Sequence, residues 1–263
     1  MRILHISPES IINEEIIGGR GVWLQNVLPV QAKEHEIRFL TFSNTKDLDD
    51  GNFKMVSCDF NSTYPAPNEI IGQFKEDNFK ALSKAIEVLR IWKPDLIHCH
   101  DADLYETASQ LKKLFGIPMV YTIHLSSAAC FREGISRQRY QIYLCQREQD
   151  ATKEADIVHV CSEVYRNKFY NGTQNLIDCW YMSDKPVRVI RNGVKNNFDK
   201  KGKGVDKKYA NVFFAGRFTK GKGIETICGV IPRMPNHRFF LQVNSMELKN
   251  RESTIQRLSF CGR

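Results

Sequence analysis

No two cysteines in this chain are spaced C-x-x-C, and no apolar run approaches the ~18 residues that a membrane-crossing helix needs. The eight cysteines (58, 99, 130, 145, 161, 179, 228 and 261) stand singly, several inside apolar strand-like runs, so they read as reduced core thiols and not as a disulfide framework. No secretory leader is expected at Met1-Arg2-Ile3-Leu4-His5-Ile6-Ser7, which is too short and too polar for one and reads as a buried strand. These absences set the expectation of a cytoplasmic protein. Acidic residues are scarce in one region only. Residues 1–190 carry 22 Lys/Arg against 25 Asp/Glu, whereas 191–263 carry 16 against 5, so the net charge of +8 belongs to the last 73 residues. A positive field of that kind suits an anionic ligand. Interleaved aromatics and a recognised motif are lacking there, which argues against nucleic acid. Apolar side chains are not lacking: 42% hydrophobic and 11% aromatic residues exclude intrinsic disorder across 263 residues.

Short apolar, β-branched runs recur at Arg2–Ile6, Ile37–Phe42, Lys54–Cys58, Asp95–Cys99, Pro118–Ile123, Ala155–Cys161, Val187–Ile190, Asn211–Ala215 and Arg238–Val243. Segments of helical period lie between them. Residues 20–33 suggest a stripe of Val22, Trp23, Val27, Val30 and Gln31, and residues 74–92 one of Phe74, Phe79, Leu82, Ile86, Leu89 and Ile91. Residues 103–115 present Leu104, Ala108, Leu111 and Leu114/Phe115 before the stop Gly116-Ile117-Pro118, and 137–153 and 163–170 read as further helices. Strand and helix in alternation, with near-continuous apolar strands, predict an α/β doubly wound parallel sheet. The domains are expected at 1–192 and 210–263, joined by a Lys/Gly-rich linker over 193–209. About 54 residues cannot close a doubly wound core, so the second domain is expected to be incomplete.

Gly18-Gly19-Arg20-Gly21 falls between the first strand and the first helix, where bare backbone N–H groups can approach a phosphate. The spacing is not GxGxxG, and the second strand ends Thr41-Phe42-Ser43-Asn44 without a ribose-binding carboxylate, so a dinucleotide fingerprint is disfavoured. His98 and His100 alternate onto one face of a strand, but no third ligand is evident and no metal is expected. His124 ends the apolar strand Met119–Ile123 at its carboxyl end, which points to chemistry. Later, Gly216-Arg217 and Gly221-Lys222-Gly223 form a cationic glycine turn between a strand and a helix. Arg217 supplies a bidentate fork and Lys222 a point charge for one phosphate group. The turn nearly matches a P-loop, but Gly223 stands where Ser or Thr would hold Mg²⁺.

Six segments in order resemble the retaining GT-B glycosyltransferases of family 4 and the related glycogen/starch synthases. These are Gly18-Gly19; Pro94-Asp95-Leu96-Ile97-His98-Cys99-His100-Asp101; Thr122-Ile123-His124; Ala155-Asp156 through Ser162-Glu163; Val189-Ile190-Arg191-Asn192-Gly193-Val194; and Gly216-Arg217 through Lys222-Gly223. The resemblance implies a GT-B-like fold of two Rossmann-like domains and sugar transfer, with retention, from a nucleotide-diphosphate sugar in the cleft between them. It implies no cofactor, the nucleotide sugar being a substrate. Arg217, Lys222, Gly216, Gly18 and Gly19 would bind the donor, His124 would sit beside the transferred sugar, and Asp101 near the acceptor, which is an unknown sugar, lipid or protein.

Two features depart from the family pattern. Ile16-Ile17 precede the glycine pair where the synthases carry Lys, and after Gly223 only Glu225, Glu247 and Glu252 are acidic, none matching the family's spaced glutamate pair. The chain is therefore expected to be truncated within its second domain. Self-association or a missing C-terminal half, peripheral membrane contact, a non-catalytic binding module and a degenerate P-loop nucleotidase stay open as alternatives.

Overall fold

The computed structural model describes residues 1–12, 18–44, 47–59, 69–132, 134, 139–170, 178–193, 210–216, 222–234 and 237–242. The chain divides into two compact units, Met1–Gly193 and Val194–Arg263. In the first, the chain runs β1 (Arg2–Ile6), α1 (Gly19–Gln31), β2 (Glu36–Ser43), β3 (Leu48–Asp50), β4 (Phe53–Asp59), α2 (Ile70–Ile91), β5 (Leu96–His100), α3 (Tyr105–Phe115) and β6 (Met119–Ile123). It continues through α4 (Ser127–Arg132), α5 (Arg139–Glu154), β7 (Ile157–Val160), α6 (Glu163–Arg166), β8 (Phe169–Tyr170), β9 (Tyr181–Met182) and β10 (Val187–Val189). Eight of these strands form one sheet in the order β10-β7-β6-β5-β1-β2-β4-β3, parallel except for the β3–β4 edge. Among the described residues no helix is long and apolar enough to cross a membrane.

Alternation along the strands assigns the two faces. Leu4, Ile6, Leu40, Phe42, Val56, Ile97, Cys99, Tyr121, Ile123, Val158 and Val160 share one face with residues of α2, α3 and α5, forming the larger core. Ile3, Ile37, Phe39 and Met55 share the other with Leu24 and Leu28 of α1. Helix α3 ends where Gly116 takes φ +66, a left-handed cap that glycine adopts without steric cost, and Pro118 precedes β6.

Three helix faces differ in part from the sequence expectation. In α1 the buried side chains are Leu24 and Leu28, next to Gly21, while Val22 and Val30 are exposed. In α2, Asn78, Ala81, Ala85, Val88 and Leu89 are buried, Asn78 bonding to Asp103 and Thr107; Leu82 and Ile86 of the expected stripe pack against the core as well, whereas Phe79 (70% exposed) and Ile91 (83%) point away. Small residues at 81 and 85 let the helix pack closely into the larger core, so contact rather than hydrophobicity fixes which face is buried. Leu114 and Phe115 of α3 are likewise exposed. The helix expected over 163–170 is only α6; Ser162 caps it by accepting from Tyr165 N–H, and Phe169–Tyr170 then pairs with Tyr181–Met182 as a small parallel ladder.

In the second unit, β11 (Ala210–Ala215) and β12 (His237–Gln242) pair in parallel, with α7 (Ile224–Val230) between them in sequence. Gly223 precedes α7 at φ +75, again a left-handed position. Leu241 is buried, and Phe213 is exposed on β11. Beyond Gly193 the expected linker lies outside the described residues, as do residues 243–263.

Candidate functional site

β1 pairs in parallel with β2 on one side and β5 on the other, so the order of the sheet reverses direction between β1 and β5. In an open parallel sheet the carboxyl ends of two such strands border a crevice that backbone leaves free for a ligand. Gly18 and Gly19 begin α1 beside it, Asp101 follows β5, and His124 follows β6. Gly18 is the N-cap of α1, and neither a capping side chain nor a first-turn acid occupies that end. A Cβ at Gly18 would lie 3.0 Å from Glu9 Oε1, whereas one at Gly19 would meet nothing within 4 Å. A side chain at 18 would therefore require the Glu9 carboxylate to give way by a small shift.

Arg20, inside the glycine loop, gathers three carboxylates. Its NH1 donates to Asp101 Oδ2 (2.9 Å) and Asp103 Oδ2 (2.8 Å), and its Nε donates to Glu9 Oε2 (3.1 Å). Burial pulls the Arg20 pKa down, but Asp103, Asp101 and Glu9 outweigh it and carry it above its ordinary value. Asp101 holds φ +59, the one left-handed non-glycine among the described residues. There its Oδ1 accepts the backbone N–H of His124 (2.6 Å) and Leu125 (3.3 Å). Burial raises the Asp101 pKa to about 6, with Arg20 pulling it down and Asp103 adding to the rise. Both carboxylate oxygens are occupied, so Asp101 ties the first turn of α1 to the loop that carries His124.

The parallel register then lines up imidazoles. His5 stands opposite His98 across β1–β5, and His100, Thr122 and His159 are successive partners across β5–β6–β7. His5 Nδ1 meets His100 Nε2 at 3.0 Å, and His100 Nδ1 meets His124 Nε2 at 3.0 Å. A second chain runs from His98 Nε2 to Thr122 Oγ1 (2.7 Å), on to His159 Nδ1 (2.9 Å), and from His159 Nε2 to the carbonyl of Ile190 (3.0 Å). Trp23 of α1 closes over the row, with its ring centroid 4.8 Å from that of His124 and 5.5 Å from that of His100. Burial depresses all five imidazoles: His5 falls to about 3 with Gln31 opposing, and His124 falls to about 3 with Arg20 and His159 adding to the effect. They are neutral at physiological pH.

The fold supplies the third histidine that spacing alone did not reveal, since ring nitrogens of His5, His98 and His100 lie within 4.8 Å of one another. Both His100 nitrogens are already engaged by other histidines, and a metal would have to break that chain. The cluster therefore fits a hydrogen-bonded relay better than a chelate. Sequence reasoning also missed Arg20, Trp23 and His159 as site residues; for His159 the available signal was a polar side chain within an otherwise apolar strand, and Arg20 and Trp23, on α1, carried none.

Just past His124, a buried carboxylate holds the chain. Glu148 of α5 accepts from Ser127 N–H (2.7 Å), Ala128 N–H (3.3 Å) and Ser126 Oγ (3.0 Å), and Tyr181 OH bonds to both Glu148 and Ser126. Burial lifts the Glu148 pKa to about 7 in spite of those donors. Of the remaining expected residues, Gly216 follows β11 and Lys222 is exposed ahead of α7, both in the second unit, and Arg217 lies outside the described residues.

The arrangement can be set beside known proteins. The chain is 24% identical over 150 residues to a glycogen synthase of Mycobacterium tuberculosis, a stretch that is 55% of this chain and 33% of that protein. The match thus spans about a third of the curated relative. A sucrose-phosphate synthase from Thermosynechococcus elongatus superposes with a TM-score of 0.73 at 17% identity, covering 97% of this chain and 65% of the other. Anabaena HepE in complex with UDP-glucose gives 0.59 at 15% identity over 92% and 60%. At these identities the likeness establishes the fold, an α/β chain of the GT-B class. The family model described as Glycosyltransferase Family 4 matches residues 17–198, which take in Gly18, Gly19, Arg20, Asp101 and His124, and this chain belongs to that family.

Proposed function

We propose that this chain transfers a glycosyl group, with retention, from a nucleotide-diphosphate sugar to a hydroxyl-bearing acceptor. The family match across residues 17–198 carries the reading, because it contains the α1 N-terminus, Asp101 and His124. The glycogen synthase likeness and the UDP-glucose bound by the Anabaena protein support a nucleotide-sugar donor. In this reading the backbone N–H groups of Gly18 and Gly19 bind donor phosphate, and Gly216, Arg217 and Lys222 are donor-binding residues of the second unit. Breaking a glycosyl–phosphate bond builds negative charge on the departing nucleotide, and fixed N–H groups and cations stabilise it as it develops. His124, neutral and beside Arg20, offers the glycosyl group a hydrogen bond and no charge. Asp101 fixes the loop from which His124 projects.

The test is to incubate the full chain with labelled UDP-, ADP- and GDP-glucose and follow both transfer to acceptors and release of free sugar. Turnover with any of the three supports the proposal. Nucleotide binding without turnover favours a non-catalytic binding module, and neither binding nor turnover removes both. Replacing Arg217→Ala is expected to weaken UDP binding by about 1.5–3 kcal/mol in calorimetry, the scale of a charged hydrogen bond. Unchanged affinity takes Arg217 out of the donor contacts.

A further inference from the structure

The backbone N–H groups that follow β6 end on three side chains. Asp101 takes those of His124 and Leu125, and Glu148 takes those of Ser127 and Ala128. Ser126 Oγ takes that of Ala129 at 3.0 Å, which caps α4. The negative charge of Asp101 is met by Arg20. Glu148 has only hydrogen-bond donors around it and, among the described residues, no ion pair.

Glu148 Oε1, Ser126 Oγ and Tyr181 OH lie within hydrogen-bond reach of one another in all three pairings. The three residues are at most 1% exposed. Each contact between two oxygens needs one proton, and the two hydroxyls supply two. With Glu148 ionised, one pair of oxygens is left with lone pair against lone pair, whichever way the hydroxyls turn. In a low-dielectric interior that repulsion is strong. A protonated Glu148 supplies the third proton and closes a ring. Glu148 Oε1–H donates to Tyr181, Tyr181 O–H donates to Ser126 Oγ, and Ser126 O–H donates back to Oε1. The proton belongs on Oε1, because Oε2 meets the Ser127 N–H at 2.7 Å and stays an acceptor. Burial acts in the same sense, lifting the Glu148 pKa to about 7 against the donors around it.

We propose that Glu148 is a positioning residue that works in its protonated form: its proton closes the ring with Ser126 and Tyr181, holds the first turn of α4, and so fixes the loop from which His124 projects. Once ionised, Glu148 is drawn toward water, and the ring, the cap at Ser126 and the turn loosen together. That the loop serves sugar transfer rests on the proposed function; the proton on Glu148 does not. The other titratable groups around Glu148 are Tyr121 on β6, Cys130 on α4, Cys145 on α5, Tyr165 on α6, Tyr181 on β9, and Asp101, while Arg132 ends α4. Burial pushes those thiols and phenols upward, away from neutrality. Asp101, at about 6, is retained in Glu148→Gln, which separates the two carboxyls.

The experiment is a pH titration of the full chain by NMR, with glutamate labelled by carbon-13 at its side-chain carboxyl, alongside amide exchange. One carboxyl resonance, absent from Glu148→Gln, is expected to be that of a neutral acid at pH 6 and to titrate near 7. In the opened loop Glu148 is an ordinary carboxyl with a pKa near 4.3, so opening releases a proton at any pH between the two values. Protection of the Ser127 and Ala128 amides, corrected for intrinsic exchange, should therefore fall about tenfold from pH 6 to 8 and level off above. The carbon-bound ring protons of His124 should shift with the same midpoint, although His124 itself titrates far lower, at about 3.

Glu148→Gln keeps an oxygen for the Ser127 N–H and a donor for the ring but cannot ionise. Its protection and its His124 resonances should show no step near pH 7. Where that variant does not fold, the Glu148 resonance is assigned through bonds in the native chain, and the native titration decides. A Glu148 carboxyl already ionised at pH 6 overturns the proposal. So does protection at Ser127 and Ala128 that is level from pH 6 to 8, or a His124 ring that ignores the Glu148 titration. None of these measurements needs a donor or an acceptor, so the outcome is independent of whether sugar transfer is observed.

Discussion

Mild acid is expected to unfold the first unit, with resistance to urea falling steeply as the pH drops from about 6.5 to 5. Five imidazoles are depressed by burial in the fold, whereas in the unfolded chain each returns to an ordinary value near 6.5. Below that pH the unfolded state binds protons that the folded state refuses, so stability present at neutral pH is lost on acidification. Two carboxyls act in the opposite direction. Glu148, lifted to about 7, and Asp101, lifted to about 6, keep protons that the unfolded chain gives up, and they favour the fold at lower pH. Near pH 5.5 about five protons are taken up against two retained, so the histidines prevail by about three protons, or about 4 kcal/mol per pH unit. A domain is stable by only ~5–15 kcal/mol, so the loss of about 6 kcal/mol between pH 6.5 and 5 is a large share of it or all of it. Urea titrations across the pH series, with proton uptake from calorimetry in two buffers, measure the slope directly. A stability that is flat from pH 7 to 5 would show that the cluster is solvated and not buried.

Reading the sequence went furthest where structure is local. The nine apolar runs are all strands, because a strand covered on both faces must be apolar nearly throughout and that pattern needs no partner to be seen. Helix faces were less legible. Ala81 and Ala85 are fully buried in the core, and in hydrophobicity they rank below Phe79 and Ile91, which point outward. β8 and β9 are two residues each, too short to display a period, and α4 owes its place to Glu148, more than twenty positions further along the chain. The site shows the same division. Glycines after the first strand and a histidine at a strand end were recognisable as types. His5 joined them only through its register with His98, and Arg20 through carboxylates 11, 81 and 83 residues away. Nothing near either residue in sequence records such contacts.

Replacing Arg20→Met should cost the first unit about 3–5 kcal/mol, the range for removing one partner from a buried ion pair. The methionine stem keeps most of the side-chain volume, so the loss reports charge and hydrogen bonding. Glu9 and Asp101 would be left buried without a cation, and Asp103 partly so. Arg20→Lys should recover only part of this, since a single ammonium cannot span the positions that NH1 and Nε now serve. With the cation gone, the Asp101 pKa should rise further, because Arg20 is the largest influence holding it down. Protonated Asp101 is a poorer acceptor for the N–H groups of His124 and Leu125, so the loop carrying His124 should loosen along with the global loss. Adding Asp101→Asn removes one of the stranded charges and keeps an oxygen for those two N–H groups. The double variant should accordingly be more stable than Arg20→Met alone, and a double-mutant cycle measures that coupling. Urea unfolding gives the energies, and amide exchange at His124 and Leu125 reads the loop. A loss below about 1 kcal/mol for Arg20→Met would place the network among solvent-screened surface pairs, and Asp101 would then no longer be the tie between α1 and His124.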